Sequence, residues 1–342
     1  MTVNIALGQP VRRTALLARR PWTLVGGLLV LALAASVVSL MIGATSIPLS
    51  DVLRALTGDR STDGAQVVLD FQLPRVLLCW IVGMGLAVSG GVMQGVVRNP
   101  LAAPDIIGVT KGAGFAGMLL VLTVPSASAS MVPVAAFAGG LAGAGLVYLF
   151  AYRRGVSPVR LALVGIAVSA TFEALIRYLL VKYPLDVNAS LIWLTGSLFG
   201  RTMDTVVMAL PWVVVLVPVV LLLARRLDVL GLGDDMAMGL GEPVESTRRL
   251  LLLLAVALAS VCVAVSGTVG FVGLIAPHIA RRLVGGRHLV SLAAASMIGV
   301  LLMLVADTVG RGVDPPLEVP AGVVTAVIGG PYFLYLLVKT GK

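Results

Sequence analysis

Residues 22–42 read WTLVGGLLVLALAASVVSLMI, an uncharged run of 21 residues near the N-terminus. A helix of about 20 residues spans the ~30 Å hydrocarbon core of a bilayer. Arg12, Arg13, Arg19 and Arg20 precede this run, but it is too long for the core of a signal peptide and lacks a convincing cleavage site. We therefore predict that it is the first membrane helix.

The rest of the chain has the same character. Of its 342 residues 58% are hydrophobic and 12% are charged, with a mean hydropathy of +1.04, whereas a soluble domain carries about 25% charged residues. This composition predicts an all-α membrane protein with about ten transmembrane helices. The proposed segments are 22–42, 76–96, 106–124, 132–151, 159–181, 205–224, 250–267, 269–284, 289–308 and 321–338.

The basic residues predict the orientation. If the N-terminus is cytoplasmic, 17 of the 25 Lys and Arg fall in inner segments and 6 in outer ones, as the positive-inside rule requires. Both termini are therefore expected in the cytoplasm, with residues 1–21 as a cytoplasmic segment and residues 22–342 as one transmembrane domain. The net charge of +9 does not indicate nucleic acid, because these residues form short clusters between apolar runs.

No catalytic pattern is present in the sequence. There is no G-x-x-x-x-G-K-[ST], so ATP would have to be bound by another chain. Nucleophile elbows, paired catalytic carboxylates and HExxH are also absent. Cys79 and Cys262 lie in apolar runs and are expected as buried small residues, while His278 and His288 do not form a metal pattern. We expect a chain that is not an enzyme and holds no metal or cofactor.

A G-x-G-x-x-G pattern occurs at Gly112, Gly114 and Gly117. A dinucleotide site would need a preceding strand and a downstream acidic residue, and neither is present. Close packing of helices through small residues is the preferred interpretation.

Glu173 and Arg177 are spaced i, i+4 within the fifth segment, so they can pair on one helical face. Charges at membrane depth commonly face a wet cavity, which makes the pair a candidate for the translocation pathway. A structural pair near the outer interface, with Arg177 reaching toward water, stays an open alternative. Asp307 ends the ninth segment, where an interfacial cap is favoured over a proton relay.

The long inner loop, residues 228–249, contains a short amphipathic helix pattern, GDDMAMGLGEP, and a second helix start at Ser246–Arg249, so two short helices are predicted. Asp234 and Asp235 suit the start of a helix electrostatically, and Gly239, Gly241 and Pro243 interrupt it. A docking face for a cytoplasmic partner and a solvated connector are both compatible with this pattern.

Several longer motifs resemble a known family. They are QLPR (72–75), SGGVMQGVVRNPLAAPDIIGVTKGAG (89–114), WLTGSLFGR (193–201), LGDDMAMGLG (232–241), GFVGLIAPHIARRLVGGRH (270–288), LVADTVGR (304–311) and EVPAGVVTAVIGGPYF (318–333). Together they resemble the permease subunits of ABC importers for iron-siderophores, haem and vitamin B12, the type II importers. The resemblance extends from about residue 15 to the end of the chain.

This resemblance implies a set of partners and sites. Two permeases would pair, as a homodimer or with a sibling chain, above two copies of an ATPase that bind ATP and Mg, while a periplasmic or lipid-anchored binding protein docks outside. Short coupling helices in the loop at about 228–249 would contact the ATPases through Gly233, Asp234, Asp235, Met236, Gly239, Gly241, Glu242 and Pro243. A short outer gate helix at 189–200 would contain Trp193, Leu194, Thr195, Gly196 and Ser197.

The resemblance also implies that Arg75 and Arg311 receive acidic residues of the binding protein. Gln72 stands where the vitamin B12 relatives carry another arginine, which argues mildly against that branch. The motifs look closer to the ferric-siderophore permeases, including the enterobactin type. A multi-pass permease of the inner membrane that imports a ferric-siderophore is therefore expected.

Two alternative functions remain. A haem or vitamin B12 permease belongs to the same family. An ion-coupled secondary transporter would need no ATPase, and the coupling-type loop and the lack of an embedded acidic relay beyond Glu173 argue against it.

Overall fold

The computed structural model describes residues 20–43, 46–124, 126–128, 130–152, 158–184, 191, 193–313 and 317–340. Every regular element in these ranges is a helix. The first seven are α1 Pro21–Met41, α2 Leu49–Leu56, α3 Asp63–Val67, α4 Leu73–Val97, α5 Val109–Thr123, α6 Met131–Ala151 and α7 Pro158–Lys182. The next seven are α8 Met203–Leu222, α9 Ala224–Leu230, α10 Asp234–Gly239, α11 Val244–Ser266, α12 Val272–Val284, α13 His288–Gly312 and α14 Ala321–Thr340.

Each of the ten predicted apolar segments coincides with one of these helices. Within the described part of the chain, seven helices are long and apolar enough to cross a membrane. The chain is therefore a multi-pass membrane protein. Of the other three, α5 and α14 are shorter apolar helices, and α12 has 13 residues with Pro277 inside it.

Helix α4 lies at the centre of the molecule, packed against α8, α11, α12 and α13. Glycines of α4 permit the closest approaches between helices. A Cβ added to Gly90 would lie 1.8 Å from the carbonyl oxygen of Gly273, in the first turn of α12. A Cβ added to Gly83 would lie 2.5 Å from the carbonyl oxygen of Gly299 in α13. Small residues at helix crossings allow such backbone contact in membranes. Helix α4 with α11, α12 and α13 thus forms the core, and α8 packs on it from the periphery.

The peripheral helices α1, α7 and α8 are apolar and largely exposed, since at most 28% of the residues in their membrane windows are buried. Such surfaces are stable in lipid, where an exposed apolar side chain carries no hydrophobic penalty. In helix α5, which carries the G-x-G-x-x-G pattern, Gly112 packs against the backbone of Gly139 and Gly143 in α6. The packing interpretation of that motif is confirmed.

A short amphipathic helix and a π-helical turn precede α4. Val52 and Ala55 of α2 are buried against the bundle, and the π-helical residues Val68–Gln72 continue directly into α4. The described residues of the predicted outer loop 43–75 are therefore mostly folded.

Candidate functional site

The connection between α4 and α5 turns back into the helical layer. The Ser169 hydroxyl donates to the carbonyl oxygen of Asp105 at 3.3 Å, and Ser169 lies about 17 Å along α7 at 1.5 Å per residue. Gly108, with φ of 75°, then starts α5 at this depth. Irregular backbone is tolerated there only where protein or trapped water surrounds it. This re-entrant segment, residues 99–108, places the first turn of α5 beside the middle of α7.

A cluster of three charges forms where these two helices meet. The Lys111 Nζ lies 2.5 Å from Oε2 of Glu173, and the Arg177 Nε lies 3.3 Å from Oε1 of the same carboxylate. The predicted i, i+4 pair is confirmed, and Lys111 is a further member that sequence reasoning placed only inside a helix. Its signal was a lone lysine in an apolar segment, which requires a counter-ion.

The charge cluster lies on the surface of the chain, not in its core. All three side chains are at least one-third exposed, and Leu163, Ile166 and Ala170 are exposed at helical spacing before them on α7. A charged group facing lipid is costly. This face therefore meets water or another polypeptide in the membrane.

A second charge network is buried near the outer ends of α4 and α13. Nη2 of Arg75 donates to Asp307 at 2.8 Å, and its Nη1 donates to Glu318 at 2.8 Å. Arg311 approaches Asp307 at 3.0 Å without hydrogen-bond alignment. It also donates to the Ser39 hydroxyl at 2.7 Å and to the carbonyl oxygen of Ile42. Two arginines and two carboxylates neutralise one another here.

This network bears on two expectations. Arg75 and Arg311, for which the resemblance implied docking of a binding protein, are 9% and 4% exposed, because internal carboxylates hold them between helices; the docking role itself stays a prediction. Asp307 is not an interfacial cap: α13 continues to Gly312, and its carboxylate is buried between the two arginines. Only Glu318, with 26% of its side chain exposed, gives this network a solvent-accessible edge.

The residues predicted for the outer gate lie against the start of α14. The backbone N–H of Gly322 donates to the carbonyl of Gly196 at 2.8 Å, and Gly196 has φ of 77°. A Cβ on Gly117 of α5 would lie 2.9 Å from the Trp193 ring. Residues 191, 193 and 194 are helical, whereas Gly196 and Ser197 are not. The remainder of the predicted gate helix, 189–190 and 192, lies outside the described residues.

Arg201, just beyond this segment, is a residue that the sequence patterns did not indicate as part of a site. Its Nε is buried without a hydrogen-bond partner, and no carboxylate of the described ranges pairs with it. Burial lowers the pKa of its guanidinium. An arginine that has no carboxylate partner among the described residues is suited to bind an anion.

The first of the two patterns predicted for the inner loop forms α10, Asp234–Gly239. The second, Ser246–Arg249, is not a separate short helix but belongs to the start of α11, and α9 was not predicted. Gly233 and Gly241 flank α10 with φ of 105° and 81°. Four large apolar side chains of this loop point away from the protein, Leu232, Met236, Met238 and Leu240. Such a contiguous exposed patch is typical of a protein-docking surface.

The two acidic residues at the start of α10 have different environments. The Asp234 carboxylate lies 2.5 Å from Arg98 at the end of α4, and 2.9 Å from Arg248 of α11. Arg98 has φ of 53° and caps α4 in the left-handed conformation. Asp235 makes no ion pair with any described residue. Asp234 therefore joins the loop to two membrane helices, while Asp235 is available to a partner.

A known protein family matches almost the whole length of this sequence. Residues 29–339 match the model of the FecCD transport family. The chain belongs to the FecCD transport family. The resemblance found in the sequence motifs is thereby confirmed, and this FecCD protein is a transport protein.

Relatives of this FecCD protein carry iron-related names. It is 46% identical to the Fe(3+)-citrate import system permease protein YfmE of Bacillus subtilis, over 96% of this chain and 98% of the relative. It is 36% identical to the ferric enterobactin transport system permease protein FepG of Escherichia coli, over 88% and 91% respectively. Identity to the citrate relative is the higher of the two.

A solved structure shares the fold of this FecCD protein. It is a metal-chelate type ABC transporter in an inward-facing conformation, with a TM-score of 0.82 and 32% identity, covering 93% of this chain and 99% of the other. The coupling, docking, gate and pathway roles of individual residues stay predictions, because a shared fold does not assign residue roles.

Proposed function

We propose that this chain is the permease subunit of an ABC importer that carries a ferric chelate, of the siderophore or citrate class, across the inner membrane. Full-length similarity to a permease named for Fe(3+)-citrate import carries the proposal. The proposed topology has ten spans and two cytoplasmic termini. Seven helices in the described part of the chain are long and apolar enough to cross a membrane, and α5 and α14 are shorter apolar helices.

The charge cluster of Lys111, Glu173 and Arg177 is proposed to line the translocation pathway. The three residues lie on an exposed face that lipid cannot cover at acceptable cost. A second permease, either a copy of this chain or a sibling, would enclose that face and the pathway between the two subunits. The cluster carries one net positive charge, which suits an anionic chelate.

ATP hydrolysis is proposed to occur on two copies of a partner ATPase that bind ATP and Mg. The exposed patch of Leu232, Met236, Met238 and Leu240 supplies apolar anchors for that contact, with Asp235 beside it. Asp234 does not dock in this scheme. Its bonds to Arg98 and Arg248 transmit movement of the loop to α4 and α11.

A periplasmic or lipid-anchored binding protein is proposed to deliver the chelate to the outer face. Arg75 and Arg311 can take part only if the buried network opens, and Glu318 is its accessible member. An acidic residue of the binding protein could replace Glu318 at Arg75. That exchange would free the Glu318 carboxylate from Arg75. Glu318 lies three residues before α14 and four before Gly322, whose N–H bonds to Gly196 in the predicted gate.

The proposal is tested by uptake of a ⁵⁵Fe-labelled chelate into proteoliposomes containing this chain, its sibling or second copy, the ATPase and the binding protein. Uptake should require ATP on the ATPase side and should persist when ionophores dissipate proton and sodium gradients. Uptake without ATP that collapses with an ionophore would instead identify an ion-coupled transporter.

A further inference from the structure

An apolar groove separate from the charge cluster opens between α6, α7 and α11. It has a volume of about 410 Å³ and is lined by Leu141, Ala144, Gly145, Leu161, Leu252, Leu253 and Val256, with Tyr148 and Arg249 as its polar members. This volume lies within the ~300–1,000 Å³ of small-molecule sites. Because Tyr148 lies near the end of α6 and Arg249 near the start of α11, the polar mouth is at one membrane surface and the apolar part extends inward.

The mouth has the chemistry of a membrane–water interface. The rings of Tyr148 and Tyr152 stack with their centroids 5.8 Å apart, and tyrosines are enriched at headgroup depth. Arg249 is exposed, and only its Nε has a bond, to the carbonyl of Glu245 at 3.4 Å in its own helix. Its terminal nitrogens make no ion pair with a described residue.

The acidic neighbour of this arginine is already engaged. Glu245 accepts a hydrogen bond from the Tyr148 hydroxyl at 3.2 Å, and its other oxygen lies 3.8 Å from Nη1 of Arg248. Among the described residues that line the groove, the charge without an ion-pair partner is therefore the positive charge of Arg249. Basic pockets between membrane helices on the cytoplasmic side suit the phosphate of an anionic lipid.

We propose that this groove binds an anionic phospholipid of the inner leaflet, with its phosphate on Arg249 and an acyl chain along Leu252, Leu253 and Val256. Only the assignment to the inner leaflet rests on the proposed topology. Lipid binding at the groove requires neither the transported chelate nor ATP hydrolysis.

Native mass spectrometry of the purified complex in detergent micelles that contain equimolar phosphatidylglycerol and phosphatidylcholine tests the proposal. The wild type should retain phosphatidylglycerol preferentially, and Arg249→Gln should lower that preference about tenfold because a charge-assisted contact is lost. Gly145→Leu should reduce retention of both lipids, since an added Cβ there meets open space in the groove. Melting temperatures of the variants verify that they are folded.

Two matched variants serve as controls. Arg225→Gln removes an exposed arginine from α9, which does not line the groove, and Gly27→Leu adds the same side chain to α1 where a Cβ also meets open space. Both should bind lipid as the wild type does. Equal retention of the two lipids by the wild type, or no change in Arg249→Gln and Gly145→Leu, would overturn the proposal.

A photo-crosslinker at position 253 identifies what covers the groove in liposomes of the same two lipids. The proposal requires crosslinks to phospholipid, because the Leu253 side chain is exposed within the groove lining. Crosslinks to the ATPase or to the second permease would show instead that a protein occupies it.

Discussion

Replacing Asp234 with Asn should uncouple ATP hydrolysis from transport while the ATPase stays bound. Arg248 has 6% of its side chain exposed, so the loss of its carboxylate partner removes a charged hydrogen bond of about 1.5–3 kcal/mol. The Arg98–Asp234 pair is 36% and 40% exposed and adds about 0.2–1 kcal/mol. Together the two interactions stabilise the docked position of α10 on α4 and α11 by about 2–4 kcal/mol. Losing that energy is enough to shift the equilibrium between positions of the loop.

The assay compares chelate transported per ATP hydrolysed in proteoliposomes, with ATPase retention measured by co-purification. Asp234→Asn should lower that ratio at least several-fold and leave retention near wild type. Asp235→Asn is the matched control: it lacks the internal ion pairs, so it should weaken retention instead. Arg98→Gln should reproduce a smaller part of the Asp234→Asn effect. Normal coupling in Asp234→Asn, or the same defect in both aspartate variants, would refute the assigned roles.

Three other outcomes are expected. Asp307→Ala should destabilise the chain by about 3–5 kcal/mol, since it leaves the buried Arg311 without its carboxylate partner and Arg75 with Glu318 alone; a melting temperature close to wild type in detergent would contradict the network. A cysteine at Glu173, after replacement of both native cysteines, should react with a water-soluble thiol reagent, and its reactivity should change when ATP and binding protein are added; no labelling in any state would favour a buried structural pair. In Arg201→Gln, the chelate concentration needed for half-maximal uptake should rise about tenfold, while ATPase activity stays unchanged. If that concentration does not change, Arg201 does not bind the anion.

The membrane helices could be predicted because apolar length is a local property of the sequence. Errors occurred where charged residues continue a helix. The seventh segment was predicted from residue 250, but α11 starts at Val244 because Arg248 is paired inside the protein. The ninth was ended at residue 308, but α13 continues to Gly312 because Arg311 is buried against Asp307. Hydropathy counts such charges as solvent-facing and cannot detect their partners.

The sites were predictable to the extent that their contacts are local. The i, i+4 spacing was sufficient to predict the Glu173–Arg177 pair. Lys111 is 62 residues distant from Glu173, and it is brought close only by the re-entrant segment. The Arg75–Glu318 contact spans 243 residues. Such contacts depend on how the helices cross, which neither composition nor periodicity encodes.

The glycine contacts around α4 also limit how the protein can move. At Gly83–Gly299 and Gly90–Gly273 the backbones touch, with no side chain between them that could change rotamer. Packed interfaces of this kind switch between discrete arrangements and do not deform gradually. Helices α4, α12 and α13 should therefore tilt as one rigid body when the inner loop pulls on Arg98. The hinge between inward-open and outward-open states must then lie outside this body, where α4 meets α7 and the re-entrant segment.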